Sequence, residues 1–329
     1  MRSSAAAANT AVDPLCGYLP VHVEMLHRVD RAPVDIFVQL ERHRTPTLYC
    51  RAGLSLDNHL LRGLGDAGVR DVYVRTDDSQ DFGATLLESV DSLYEQGSVS
   101  SADRFAALQL AVGVEIERTV RRIDCGKFVA LSDKVGRNIV SFIASNNVVP
   151  RDLFRIARHD FNTFTHVTNV AAYGVVLAER LGISDEAELR QIATAALLHD
   201  VGKRFIPARI LNKPARLDPD ERDIVELHPT RGYEDLCDRP ELNTGQLMVV
   251  YQHHERVDGT GYPVGVPGPE IHPWAKMAAV VDVFDAMTGK RPYRRPIPAE
   301  DAIQYISRNA GTHFDPEAAR CWVSAMKRA

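Results

Sequence analysis

The hydrophobic pattern of the chain changes period near residue 84. Before it, apolar and polar positions alternate in short runs. YLPVHVEML, DIFVQL and TLYCRA are rich in β-branched and aromatic residues and predict strands. LDNHLLRGLGDAG predicts a short helix ending near glycine, and VRDVYVR predicts another strand. Residues 15–83 therefore read as a small α/β module. It has neither a glycine-rich phosphate loop nor the clustered acidic pair of a phospho-receiver, so a regulatory or docking role is expected. His22, His27, His43 and His59 lie here without ligand-like spacing and read as surface or packing residues.

Beyond residue 84 the period is helical. Residues 84–150, including RFAALQLAVGVEIERTVRRI and KVGRNIVSFIASNN, predict helices that form either a dimerising stalk or a covering layer. Asn146, Asn147 and Pro150 mark a boundary. Residues 151–329 then read as almost wholly helical. HVTNVAAYGVVLAERLG is closed by Gly182, and DEAELRQIATAALLHD follows it. DPDERDIVELH has Asp218 at the N-cap, Pro219 at the first helical position and Glu221 completing a capping box. Its predicted end is His228, because Pro229 disfavours continuation. PELNTGQLMVVYQHH, PWAKMAAVVDVFDAMT, PAEDAIQYISRN and PEAARCWVSAMK complete the helices, with no strand period and no internal repeat. The fold class is mainly α, a helical bundle behind a small N-terminal α/β module.

Composition narrows the function classes. Apolar content of 45% and charged content of 25% are those of an ordinary globular chain. A net charge of −5 gives no pull toward a nucleic acid polymer or an anionic membrane, so an anionic ligand must be held by local cations. The five cysteines, at 16, 50, 125, 237 and 321, form no paired framework and suit a reducing compartment. Residues 1–14 are small and polar without an apolar stretch, which reads as a disordered tail and not a signal peptide. No apolar run reaches the roughly 18 residues of a membrane span. A cytoplasmic location follows as an expectation.

The chemistry gathers in the helical half. Ala196 to Lys203 reads ALLHDVGK, an apolar helix delivering the adjacent pair His199 and Asp200. A buried carboxylate beside an imidazole is costly unless it coordinates something. His166, His228, His253, His254 and Asp282 also fall at helix starts or ends. Adjacent residues on a helix point about 100° apart, so each pair straddles a gap, with a carboxylate placed to bridge two cations. Imidazoles and carboxylates without thiolates suit iron, manganese, nickel or zinc and make a poor calcium cage.

These residues sit in strings that resemble the HD-GYP family of metal-dependent phosphodiesterases, a branch of the HD superfamily. The strings are THVTNVA, LLHDVGK at 197–203, IPARILNKPARL at 206–217, ELHPTRGYE at 226–234, HHERVDGTGYP at 253–263, VVDVFDAMT at 280–288, RPYR at 291–294 and GTHFDP at 311–316. The resemblance implies an HD-type bundle over 151–329. It implies two divalent transition metals, iron or manganese. His166, His199, Asp200 and Asp282 would serve one metal, His228, His253 and His254 the other, and Asp200 would bridge. It further implies hydrolysis of cyclic di-GMP by a metal-bridged hydroxide, either to the linear dinucleotide pGpG or onward to GMP. Lys203 matches a lysine that touches the scissile phosphate or the attacking water. Asp160 stands where family members often carry an aspartate near the nucleophile, and Asp285, one turn after Asp282, could face the same site; the alternative for both is a helix cap or a solvated carboxylate. Arg291 and Arg294 match phosphate-holding positions, where a planar fork of donors suits the ligand. Tyr262 would contact substrate, pack, or bind a partner.

Two departures bear on detail. Asn162 occupies the position of a glutamate in three-metal members, which favours two metals. Val257 replaces the usual aromatic of HHERWDG, which leaves room for another cyclic dinucleotide such as cyclic GMP-AMP. A non-catalytic cyclic di-GMP receptor is the reading from another class. A homodimer, and a signalling partner at the N-terminal module or the GYP loop, are further expectations.

Overall fold

The computed structural model describes residues 18–26, 31–40, 44–56, 58–69, 71–75, 78, 105, 125–146, 154, 163–211, 213, 215–289 and 296–327. The expected tail at 1–14 and most of the helices expected over 84–124 lie outside the described residues. The chain divides into two compact units, Met1–Leu86 and Leu87–Ala329.

The first unit holds strands β1 (Tyr18–His22), β2 (Ile36–Val38), β3 (Thr47–Cys50) and β4 (Asp71–Arg75), with short helix α1 (Val23–Leu26) and helix α2 (Asn58–Asp66). They form an antiparallel sheet in the order β1-β4-β2-β3. The stretch expected as one strand, YLPVHVEML, turns helical at Val23 so that Val23 and Leu26 can be buried. Leu61 and Leu64, three apart on α2, are buried with Ile36, Phe37, Val72 and Val74 of the sheet. Gly68, at φ +73°, ends the helix, with Val69 N–H donating to Leu64 O at 2.9 Å.

The second unit is helical. Its described helices are α3 (Cys125–Asn146), α4 (Thr163–Arg180), α5 (Glu186–Leu198), α6 (Ala208–Leu211), α7 (Pro219–Glu226), α8 (His228–Leu236), α9 (Thr244–Gln252), α10 (Pro273–Thr288), α11 (Ala299–Arg308) and α12 (Pro316–Lys327). A 3₁₀ turn, Val201–Phe205, follows α5. Helix α5 is central, packed by α3, α4 and α9. This is why its last seven residues, Ile192 to Leu198, are all buried and carry no polar face. Phe284 of α10 meets Tyr173 of α4 and Trp322 of α12 edge to face, and those two rings pack tilted, with centroids 5.1–5.8 Å apart, fixing the three helices to one another. Gly182 closes α4 in a left-handed cap at φ +95°.

The capping box on α7 forms as read: Asp218 accepts from Glu221 N–H at 2.9 Å and Glu221 accepts from Asp218 N–H. The end of that helix differs from expectation. It stops at Glu226, and His228 opens α8 instead of closing α7. Pro229 falls in the first turn of α8, where its missing N–H costs no hydrogen bond. Helix α9 carries a second capping box, Asn243 with Gln246.

Candidate metal centre

Five helical segments converge on Asp200. His199 and His253 are the C-cap residues of α5 and α9. Helix C-termini carry unpaired carbonyls and partial negative charge, so both ends favour a cation. The imidazoles also satisfy those carbonyls. His199 Nδ1 lies 2.6 Å from Ala196 O, His228 Nδ1 2.8 Å from Val225 O, and His253 Nδ1 3.0 Å from both Val249 O and Val250 O. A carbonyl only accepts, so each Nδ1 carries the proton and each Nε2 presents a lone pair inward.

His166 is held differently. Its Nδ1 lies 2.8 Å from Asp285 Oδ2, and the other Asp285 oxygen accepts from Asn169 Nδ2 at 2.8 Å. The sequence offers Asp285 either as a group facing the site or as a helix cap or solvated carboxylate. It stands behind His166 with both oxygens occupied, one on the ring and one on Asn169. Such carboxylate–imidazole pairs fix the tautomer of a metal-binding histidine. Asn169, one turn beyond His166 on α4, was not singled out in the sequence. Its i+3 spacing is the signal that marks it.

The inward atoms form two groups. Asp200, His228, His253 and His254 offer ligand atoms within 4.8 Å of one another, and so do His166, His199 and Asp282. Asp200 faces both groups, one oxygen to each. Its Oδ1 lies 3.3 Å from His228 Nε2 and 3.8 Å from His253 Nε2. Its Oδ2 lies 3.4 Å from His199 Nε2 and 3.7 Å from His166 Nε2, and accepts from Lys203 Nζ at 2.5 Å. Asp282 Oδ1 sits 3.2 Å from His166 Nε2 and 4.0 Å from His199 Nε2.

Several of these atoms are buried lone pairs facing lone pairs. His228 Nε2 and His253 Nε2 are 3.3 Å apart with no proton available between them. His199 Nε2 and Asp200 Oδ1 are buried without a hydrogen-bond partner. Leaving such groups unpaired is costly, and a divalent cation satisfies them together. The neutral nitrogen and anionic oxygen donors fit a divalent transition metal.

The electrostatics agree. Burial alone would raise the Asp200 carboxyl, but Lys203, His199 and His228 hold it well below the usual range. Asp282 is likewise held low against burial, chiefly by its hydrogen bond and charge interaction with His166. Burial opposes the charge on His166, yet hydrogen bonds to Asp282 and Asp285 outweigh it and raise the pKa to about 9. Desolvation keeps His253 far below its ordinary value and His254 at about 3, both neutral and ready to coordinate.

The GYP loop is pinned to this centre. His254 stacks on Tyr262 with centroids 4.7 Å apart, and Tyr262 N–H donates to His254 O at 3.2 Å. Glu255, which sequence reasoning passed over, is buried and accepts from Val264 N–H at 2.9 Å and Gly265 N–H at 3.0 Å. A Cβ on Gly261 would lie 2.4 Å from Arg256 N, so only glycine lets the loop fold back. Gly202 is constrained in the same way: a Cβ there would lie 1.9 Å from His228 O. Its bareness lets the turn after Asp200 press against α8. Asp160, Asn162, Arg291 and Arg294 lie outside the described residues.

A family model described as HD domain matches residues 151–318. A cyclic di-GMP phosphodiesterase of Pseudomonas aeruginosa, PA4108, is 40% identical over 174 residues, which is 53% of this chain and 42% of that protein. The 3'3'-cGAMP-specific phosphodiesterase 3 of Vibrio cholerae is 38% identical over 167 residues, 51% of this chain and 35% of that protein. The chain thus spans less than half the length of either relative. Among solved structures, Bd1817, an HDG"Y"P protein from Bdellovibrio bacteriovorus, matches with a TM-score of 0.72 at 20% identity, covering 94% of this chain and 100% of that one. At that identity the likeness concerns the fold. Among the described residues no helix is long and apolar enough to cross a membrane.

Proposed function

The chain belongs to the HD domain family, in its HD-GYP branch, and from that premise we propose that it is a metal-dependent phosphodiesterase acting on cyclic di-GMP. The observation that carries this reading is the division of Asp200, with one oxygen toward each group of imidazoles. We assign His166, His199 and Asp282 to one cation, His228, His253 and His254 to another, and Asp200 to both. Iron or manganese suits this donor set. When bound, such a pair supplies Lewis acidity, lowering the pKa of water toward about 7 and stabilising the attacking and leaving oxygens.

The chain's own groups do the rest. Lys203, 30% exposed at its side chain, balances Asp200 and is free on its outer side to meet a phosphate oxygen. Asp285 holds one His166 proton on Nδ1, so that once the other is released Nε2 would be the atom free to coordinate a metal. Tyr262, stacked on His254, offers a flat wall for substrate. Arg291, Arg294 and Asp160 are assigned from the motif alone, the arginines to the phosphates and Asp160 to the water.

Cyclic GMP-AMP is a second substrate reading. It is supported by the similarity to a cGAMP-specific relative and by Val257 in the loop. The test is to load the purified protein with iron or manganese, measure metal per chain, and follow both dinucleotides by chromatography. Two metals and turnover of cyclic di-GMP to pGpG or GMP are expected. Binding without turnover of either nucleotide would overturn the enzymatic reading in favour of a receptor.

A further inference from the structure

A cleft of about 540 Å³ opens at the first turn of α10, lined by residues from four other segments of the helical unit. Eight residues, about 12 Å of helix, separate Trp274 there from Asp282. The volume is that of a small-ligand site. One wall is the half-buried indole of Trp274, and it is locked in place. Its Nε1 donates to Glu188 Oε1 at 3.3 Å, and its backbone N–H donates to His272 Nδ1 at 3.2 Å. Its six-membered ring presses on Gly245, where an added Cβ would lie 2.8 Å from Cε3 and Cζ3. Leu181, Ile183 and Met277 add apolar surface.

The polar side of the cleft is anionic. Glu188, Asp315 and Glu317 line it against one lysine. Lys276 Nζ stands 3.8 Å from Asp315 Oδ2, so Asp315 already has its counter-ion. Glu188 spends one oxygen on the indole, and Glu317 has an exposed carboxylate on the first turn of α12. A fixed aromatic wall beside two carboxylates that have no cationic partner among the described residues calls for a flat cation on an apolar stem. An ammonium is compact and strongly hydrated. A guanidinium is planar, weakly hydrated, stacks on indole and presents forked donors to carboxylates.

We propose that this cleft binds an alkylguanidinium group, taken between the Trp274 indole and the carboxylates of Glu188 and Glu317. The group has two possible carriers, a free small molecule or an arginine side chain of a peptide. Binding in this cleft does not depend on the reaction at the metal centre.

The test uses the full chain and calorimetry with agmatine, with butylurea as an uncharged control. Agmatine should bind saturably and change the indole emission, against the constant signal of the fully buried Trp322. Trp274→Leu should weaken binding about tenfold, the loss of a desolvated cation–π contact. Glu317→Gln and Glu188→Gln should each weaken it about threefold or more. Glutamine at 188 keeps the indole's acceptor, so its effect reads charge and not folding. A blocked Gly-Arg-Gly peptide binding at least as well as agmatine assigns the site to a protein side chain. Agmatine binding alone assigns it to a free molecule. No saturable heat with agmatine, equal binding of butylurea, or unchanged affinity in all three variants would overturn the proposal.

Discussion

Among the imidazoles around Asp200, His166 is set apart from the rest: His199, on its own side, donates to a backbone carbonyl as His228 and His253 do across from it. On one side, His166 donates to a buried carboxylate, Asp285, and meets a second, Asp282, at 3.2 Å. On the other, His228 and His253 donate to backbone carbonyls at the ends of α7 and α9, and among the described groups Asp200 is the carboxylate they face. The first side is rich in negative charge, and His166 there is raised to about 9. On the second, His253 and His254 are neutral rings depressed by desolvation. The same ligand type therefore serves two purposes. On the metal assignment proposed above, the anionic side would keep a cation, whereas the neutral side would hold one more weakly and leave it more Lewis acidic.

The strongest way to break this comparison is to remove what the two sides share. Asp200→Asn should abolish turnover, by about a thousandfold or more, and lower metal content on both sides together. Loss from one side only, read by elemental analysis, would show that the carboxylate is not shared.

Asp285→Asn separates the sides. An amide can turn its NH₂ toward His166 Nδ1 and force the proton onto Nε2, where it blocks coordination. Metal affinity on that side should fall about 10- to 100-fold while the other stays unchanged. Equal losses in a competition titration would mean the two sides are one cooperative unit. Stepwise chelation of the unmodified protein should draw out the metal at His228, His253 and His254 first, since fewer carboxylates hold it.

The pH dependence sharpens the same contrast. His166 is protonated in the metal-free protein up to about pH 9, so loading its side must release that proton. Affinity there should rise with pH until about 9, whereas His253 and His254 are already neutral and should give a flat response. Calorimetry in buffers of different ionisation enthalpy measures the proton released. The smallest effect is on stability. A raised histidine pKa contributes stability that is complete below the ordinary 6.5 and lost as pH rises through about 9. The melting temperature of the metal-free protein should decline across that window, and metal loading should remove the decline.

Much of the fold was legible because it rests on local chemistry. The capping box at Asp218, the glycine stop at Gly182 and the all-apolar approach to His199 are each short-range signals. Helix period and cap preference express such signals directly. Where two local signals met, the reading slipped. Pro229 marked a break correctly, but it belongs to the first turn of the next helix and does not end the previous one. YLPVHVEML carried a strand pattern whose second half burial turned into helix.

The candidate ligands were also legible, since their order and spacing lie in the strings that carry them. Their division was not. Periodicity says that His199 and Asp200 diverge, but not which oxygen of Asp200 meets which ring. It did not show that Asp285 turns back to His166, that Glu255 anchors the loop after it, or that Gly202 lies against His228 O. Those facts depend on how α4, α5, α8, α9 and α10 cross. Crossing is set by side chains far apart in sequence packing at one place, a long-range pattern that no local window contains. The sequence by itself determined which residues could bind a metal. The tertiary structure decided which of them face one another, which stand behind, and where the buried lone pairs are left without a proton.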